Sequence, residues 1–122
     1  MDRVQWLDHK GKQILFINEK DLNEEEILKA MDDAIEVLSS FSGKTLLIVT
    51  DVSGTHVTQR IHQKSKQTVG IPIQKGIKVI SAIIGIQGMK KMLTAEISKE
   101  IHVAETLEEA CDWLVAQVEA AS

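Results

Sequence analysis

Thr45-Leu46-Leu47-Ile48-Val49-Thr50-Asp51-Val52-Ser53-Gly54 is the stretch on which the fold turns. A strand with one solvated face alternates apolar and polar residues, and Leu46 to Val49 does not; both faces of this strand must therefore be covered. Such a strand belongs in the middle of a mostly parallel sheet, whose strands are joined by helical crossovers. The run ends in Asp51-Val52-Ser53-Gly54-Thr55, which has the chemistry of a loop leading to a helix cap.

The segments on either side supply those crossovers. Upstream, Asn23 followed by Glu26 is a capping-box pattern, and Ile27, Leu28, Met31, Ala34, Ile35 and Leu38 recur at helical spacing. A helix from about Glu24 to Ser40 follows, stopped near Gly43. Before it, Val4 to Leu7 and Gln13 to Ile17 flank the turn-like His9-Lys10-Gly11-Lys12 and read as a β-hairpin. Downstream, Val57, Ile61, Ser65 and Val69 mark a thinly apolar second helix closed by Pro72 and Gly76. Ile77 to Ile84 reads as a strand ending at Gly85. A third helix beginning near Gln87 carries Met89, Met92, Leu93 and Ile97 on one face, with Met89 and Met92 read as core filler. After a short strand at Ile101 to Ala104, Thr106 and Glu109 cap a last helix striped by Leu107, Ala110, Cys111, Leu114, Val115 and Val118. The expected order is β-β-α-β-α-β-α-β-α: one α/β domain over residues 1–122, with an N-terminal hairpin, four helices and a mostly parallel sheet of four to five strands. Helices on one side of that sheet would leave its other face incompletely covered, which is the ground for expecting a homodimer.

Composition narrows the function classes. With 43% apolar and 26% charged residues in 122, the chain is an ordinary globular domain, neither disordered nor fibrous. No apolar run approaches the ~20 residues of a membrane span, and the opening MDRVQWLDHK has no apolar signal core, so a cytoplasmic location is expected. The single cysteine, Cys111, sits in the apolar stripe of the last helix and reads as a core residue. His56 and His62 lie six apart, not at the spacing of paired helical ligands, and read as surface histidines; His9 and His102 have no partner in the sequence. No metal or cofactor is expected. Neither a nucleophile elbow, a phosphate loop nor a dinucleotide fingerprint is present.

The charge distribution is uneven. From Val52 to Ala95 there are seven cations, Arg60, Lys64, Lys66, Lys75, Lys78, Lys90 and Lys91, and no carboxylate; the other 7 cations and 18 anions leave −11 elsewhere. Two accounts fit: an electropositive surface for a small anion or a protein partner, or cations that balance the acidic first and last helices across the folded surface. Nucleic acid is disfavoured. The chain is acidic overall, net −4, and none of Trp6, Phe16, Phe41 and Trp113 lies in the basic stretch.

Two turns stand where open α/β sheets place their sites. At Asp51 to Thr58 an acid ends the buried strand and Ser53, Thr55 and Thr58 precede a helix, where a phosphoryl group would be favoured. The structural account is that one hydroxyl caps the helix and Asp51 shapes the turn. At Gly85-Ile86-Gln87-Gly88-Met89-Lys90-Lys91 a helix start and two lysines would suit a phosphate or carboxylate, while Gly85 and Gly88 equally serve a turn and close packing. With Asp51, Arg60 and Lys64, these residues make the candidate ligand or partner surface.

The segments Leu46 to Gly54, Ile83 to Lys91, and Glu105-Thr106-Leu107-Glu108-Glu109-Ala110 leading to Trp113-Leu114 resemble the small stand-alone bacterial proteins of the STAS superfamily, named for sulfate transporters and anti-sigma-factor antagonists. The resemblance runs from roughly Gln13 to Ala116 and is to the uncharacterised STAS-like proteins sometimes grouped with CRAL-TRIO lipid-transfer domains. It implies a superhelix of β-α units and a module that binds rather than catalyses. It also implies control by phosphorylation at the start of the second helix, on a serine in an Asp-Ser-Ser-Gly-like motif. This chain reads Thr55-His56-Val57-Thr58-Gln59-Arg60 there, so the nearest hydroxyl is Thr58, with Thr55 and Ser53 behind it. The expected function is a non-enzymatic regulatory or binding module for a protein partner or small anion. The alternatives are a small-molecule or lipid carrier and an enzyme with a site near Asp51, His56 and Thr58.

Overall fold

The computed structural model describes residues 3–55, 58–85 and 101–120; the expected third helix, with Met89 and Met92, lies outside them. Strands β1 (Val4–His9) and β2 (Lys12–Asn18) form the hairpin, with His9 opposite Lys12. Lys10 and Gly11 between them both have positive φ, 53° and 81°, the backbone of a two-residue turn matched to strand twist. Strands β3 (Thr45–Asp51), β4 (Lys78–Ile84) and β5 (Ile101–Ala104) add in parallel, so sheet order follows chain order from β1 to β5.

The side chains of β3 alternate between two cores. Leu46 and Ile48 pack with Leu15, Ile17, Ala34 and Leu38 beneath helix α1 (Glu24–Ser40), while Leu47 and Val49 pack with Ile14, Ile80, Ala82 and Leu114 beneath helix α3 (Leu107–Ala120). All four β3 residues are at most 4% exposed, which is the doubly covered strand the sequence predicted. Helix α2 (Gln59–Gln74) lies beside α1, where Ile61 joins Ile27, Met31 and Val52. Helices therefore cover both faces. This corrects the one-sided arrangement, and with it the ground given for a homodimer: α3 needs its own apolar seat, and the odd-numbered inward residues of β3 supply it.

The caps fall where the sequence placed them. Asn23 accepts from the Glu26 amide at 2.9 Å while Glu26 Oε1 accepts from the Asn23 amide at 3.1 Å, a complete capping box. At α3, Thr106 accepts from the Glu109 amide at 3.1 Å and Glu109 reaches the Glu105 amide at 2.9 Å. Asp112 of α3 ties down the hairpin turn, accepting from His9 Nε2 at 2.7 Å and Lys10 Nζ at 3.0 Å; the His9 bond, then the Lys10 bond, holds its carboxyl below the usual range. Cys111 is 3% exposed in the core, and burial pushes its thiol pKa up. Phe41, just past α1, stacks on Trp6 of β1 with ring centroids 5.8 Å apart. A Cβ on Gly43 would stand 2.6 Å from the Phe41 ring, so glycine there lets the ring lie flat against the turn.

Helix α2 departs from expectation twice. Pro72 sits inside its last turn rather than closing it; the helix ends at Lys75 and Gly76, whose positive φ of 81° turns the chain back toward β4. A proline this near the end disturbs only one helical bond, and the Lys75 and Ile77 amides both donate to the Pro72 carbonyl. His62, expected at the surface, is 6% exposed, because it shares the inner side of α2 with Ile61, Thr68 and Pro72.

Candidate functional site

The site is built where β2, β3 and β4 end. Asp51 closes β3 and turns its carboxylate onto the following loop, Oδ1 accepting from the Ser53 amide at 2.9 Å. The Val52 amide donates to the Ile84 carbonyl at 2.9 Å, so the loop starts against the end of β4. Gly85 continues from there with φ 86°, and a Cβ on it would lie 2.6 Å from Ser53 Cα and 2.7 Å from Ser53 N. Backbone meets backbone at this point, so only glycine fits. Gly54, with φ 70°, is equally constrained: a Cβ there would strike the Asp21 carboxylate.

A second strap crosses from the end of β2. The Glu19 amide donates to the Asp51 carbonyl at 2.8 Å, the Asp21 amide to the Ser53 carbonyl at 2.9 Å, and the Thr55 hydroxyl back to the Glu19 carbonyl at 2.7 Å. Residues 19–21 and the 51–55 loop are thus laced together. Of the two sequence accounts of Asp51, the turn-shaping one is realised. Thr55 is half-buried with its proton engaged.

Thr58 is the N-cap of α2. Its hydroxyl accepts from the Ile61 amide at 3.2 Å, satisfying one free helical donor, and donates to Glu24 Oε1 of α1 at 2.6 Å. Beside it, Arg60 Nη1 stands 3.4 Å from both Glu24 Oε2 and Glu25 Oε1, and Lys64 Nζ 2.8 Å from Asp32 Oδ1. Lys75 donates to the last carbonyls of α1, those of Leu38 and Ser39. Arg60 and Lys64 therefore face the acidic side of α1, as the balancing account of the charge asymmetry expects of these two. The structure brings Asp51, Ser53, Thr55 and Gly85 together at the strand ends, while Thr58, Arg60 and Lys64 pair with acids of α1 along the α1–α2 seam. His56, Gly88, Lys90 and Lys91 lie outside the described residues.

One residue of this site was missed. Glu19 is 1% exposed, its Oε2 has no hydrogen-bond partner among the described residues, and burial pushes its pKa up to about 8. In the sequence, Asn18-Glu19-Lys20 has the composition of any solvated strand end, and nothing local marks the middle residue as buried. The two histidines without sequence partners find them in space: His9 on Asp112, and His102 stacked on Trp113 with centroids 4.6 Å apart and 3.8 Å from Glu109. Among the described residues no three His, Cys, Asp or Glu side chains gather to hold a metal ion, and no helix is long and apolar enough to cross a membrane.

No protein-family model matches the sequence, and no curated protein matches it. Two solved structures match nearly the whole chain. One is an uncharacterized protein of the DUF3478 family with a SpoIIAA-like fold from Shewanella loihica, 15% identical, with 91% of each chain covered and a TM-score of 0.64. The other is a serine-to-glutamate variant of RsbS from Moorella thermoacetica, 17% identical, covering 96% of this chain and 98% of that one with a TM-score of 0.62. This chain has a SpoIIAA-like fold. That is the architecture the STAS resemblance implied, with the hairpin at one edge and parallel β-α units beyond it. Within this SpoIIAA-like frame, residues 51–55 follow the end of β3 and Thr58 caps α2.

Proposed function

We propose that this chain is a cytoplasmic, non-enzymatic regulatory module that binds a protein partner through the Asp51 to Thr58 loop and the first turn of α2, with phosphorylation of Thr58 as its control. The observation that carries this reading is the Thr58 hydroxyl, which caps α2 and clasps Glu24 of α1 at once. A phosphoryl group on that oxygen would remove the proton given to Glu24 and set a near-dianion against its carboxylate, while the α2 N-terminus favours the new charge. The clasp between α1 and α2 would open and the charged group would turn outward beside Arg60. Likeness to RsbS, a STAS-domain anti-sigma antagonist, along almost the full length of both chains supports a module of the same kind. The small-anion reading loses two of its cations, since Arg60 and Lys64 are engaged by Glu24, Glu25 and Asp32.

The test is co-purification from the cells that make the protein, using tagged wild type, Thr58→Val and Thr58→Glu. The proposal expects a protein partner retained by Thr58→Val and lost or exchanged in Thr58→Glu. The same partners at the same yield in both variants would contradict it.

A further inference from the structure

Glu19 is the one buried carboxyl of the site, and the hydrogen-bonded strap around it gives that burial a consequence. Its side chain is 1% exposed, with Oε2 unpartnered among the described residues, yet its backbone is the knot of the loop, giving its amide to Asp51 and taking the Thr55 hydroxyl on its carbonyl. A carboxylate buried there with Oε2 lacking a donor among the described residues would be destabilised, whereas a neutral carboxylic acid is tolerated. The ionisable groups on the surrounding elements do not relieve it. Asp21 on its own turn is a carboxylate against Gly54, and Asp51 on β3 is committed to the Ser53 amide. On α1, Glu24 takes Thr58 and Arg60 while Glu26 caps Asn23. On α2, His62 is buried, and Arg60 is turned to Glu24 and Glu25.

We propose that Glu19 is a proton-held latch on the Asp51 to Thr55 loop. Neutral, it stays in its seat and the strap holds the loop closed. Releasing its proton to solvent, it must reach water, and the segment that carries it draws the Asp21–Ser53 and Thr55–Glu19 bonds open, exposing the Thr55 hydroxyl and the Ser53 backbone. The latch rests on the burial of Glu19 and the hydrogen bonds of its strap and not on Thr58, so its failure leaves the Thr58 reading standing and failure of that reading leaves the latch standing.

Linkage sets the sign. Burial raises the closed-state pKa to about 8, while an opened, solvated Glu19 titrates near the ordinary 4.5. Opening is therefore favoured by up to about tenfold per pH unit between those values and levels off above the higher one. The experiment is amide hydrogen exchange by NMR from pH 5 to 9, corrected for intrinsic exchange, on wild type and Glu19→Gln. In wild type, protection of the Glu19, Asp21 and Thr55 amides should fall with pH and flatten near pH 8; in Glu19→Gln, protection of the corresponding amides should not change with pH. A carbon-detected titration of the Glu19 carboxyl in wild type provides a readout that needs no variant. A midpoint well above 6 supports the latch. A midpoint near 4.5, or equal pH dependence of loop protection in the two proteins, overturns it.

Discussion

On the α3 side of the sheet, Ala110, Cys111, Leu114 and Val115 close on Ile14, Leu47, Val49 and Ala82, and the polar contacts, such as His9 and Lys10 with Asp112, stay at the rim. On the α1–α2 side an apolar base of Leu15, Ile48 and Leu38 gives way, toward the strand ends, to Glu19, Thr58, His62 and a row of charge pairs. Apolar packing is lost all at once, whereas hydrogen bonds and ion pairs can exchange partners singly. The comparison assigns stability to the α3 side and adjustability to the α1–α2 seam, where the candidate site lies.

The largest effect should come from the stable side. Leu114→Ala removes a fully buried side chain and should cost about 3 kcal/mol in chemical denaturation, while leaving relative loop protection in the native state unchanged. Selective exposure of the loop by this variant would erase the distinction. Gly85→Ala should cost about 2 kcal/mol, because positive φ and contact with the Ser53 backbone combine; its spectral changes should centre on residues 51–55.

Response to pH separates the two sides by sign. Glu19 has a folded pKa raised above its unfolded value, so its contribution is full below about 4.5 and is lost as pH rises to about 8, by up to about 1.4 kcal/mol per unit. Asp112 is lowered, so its contribution is present above the ordinary carboxylate pKa and is lost as pH falls through its depressed value. Denaturation midpoints against pH should lose their alkaline slope in Glu19→Gln and part of their acid slope in Asp112→Asn. Exchange of those two outcomes would break the comparison.

Smaller effects sharpen the seam. Thr58→Ala removes the α2 cap and should cost about 1 kcal/mol, read as a lower denaturation midpoint with unchanged slope. Arg60→Ala removes a 63% exposed cation and should cost less than about 1 kcal/mol, vanishing in high salt.

What the sequence made legible follows from locality. The apolar run at Leu46 to Val49, the Asn23–Glu26 box and the Lys10-Gly11 turn each carry their signal within a few residues, and each appears as read. The end of β3 before a helix was legible, and of the three hydroxyls offered as its cap, Ser53, Thr55 and Thr58, it is Thr58 that caps α2. The wiring of the site was not legible. Glu24 and Thr58 are 34 residues apart in the chain, and only the packing of α2 beside α1 brings them together. Glu19 was missed and His62 misjudged because a single polar residue is buried by its neighbours in space rather than in sequence. The one-sided arrangement failed because the last helix was read for its own stripe and not for the strand face it had to meet.

Phosphorylation at Thr58 is read directly by intact mass spectrometry of the protein isolated from the cells that make it, under native and then denaturing conditions with fragmentation. The expected result is a phosphoryl-sized increment on part of the population that survives denaturation and maps to Thr58. An unmodified chain that carries a small molecule only under native conditions would contradict it and make the protein a ligand carrier.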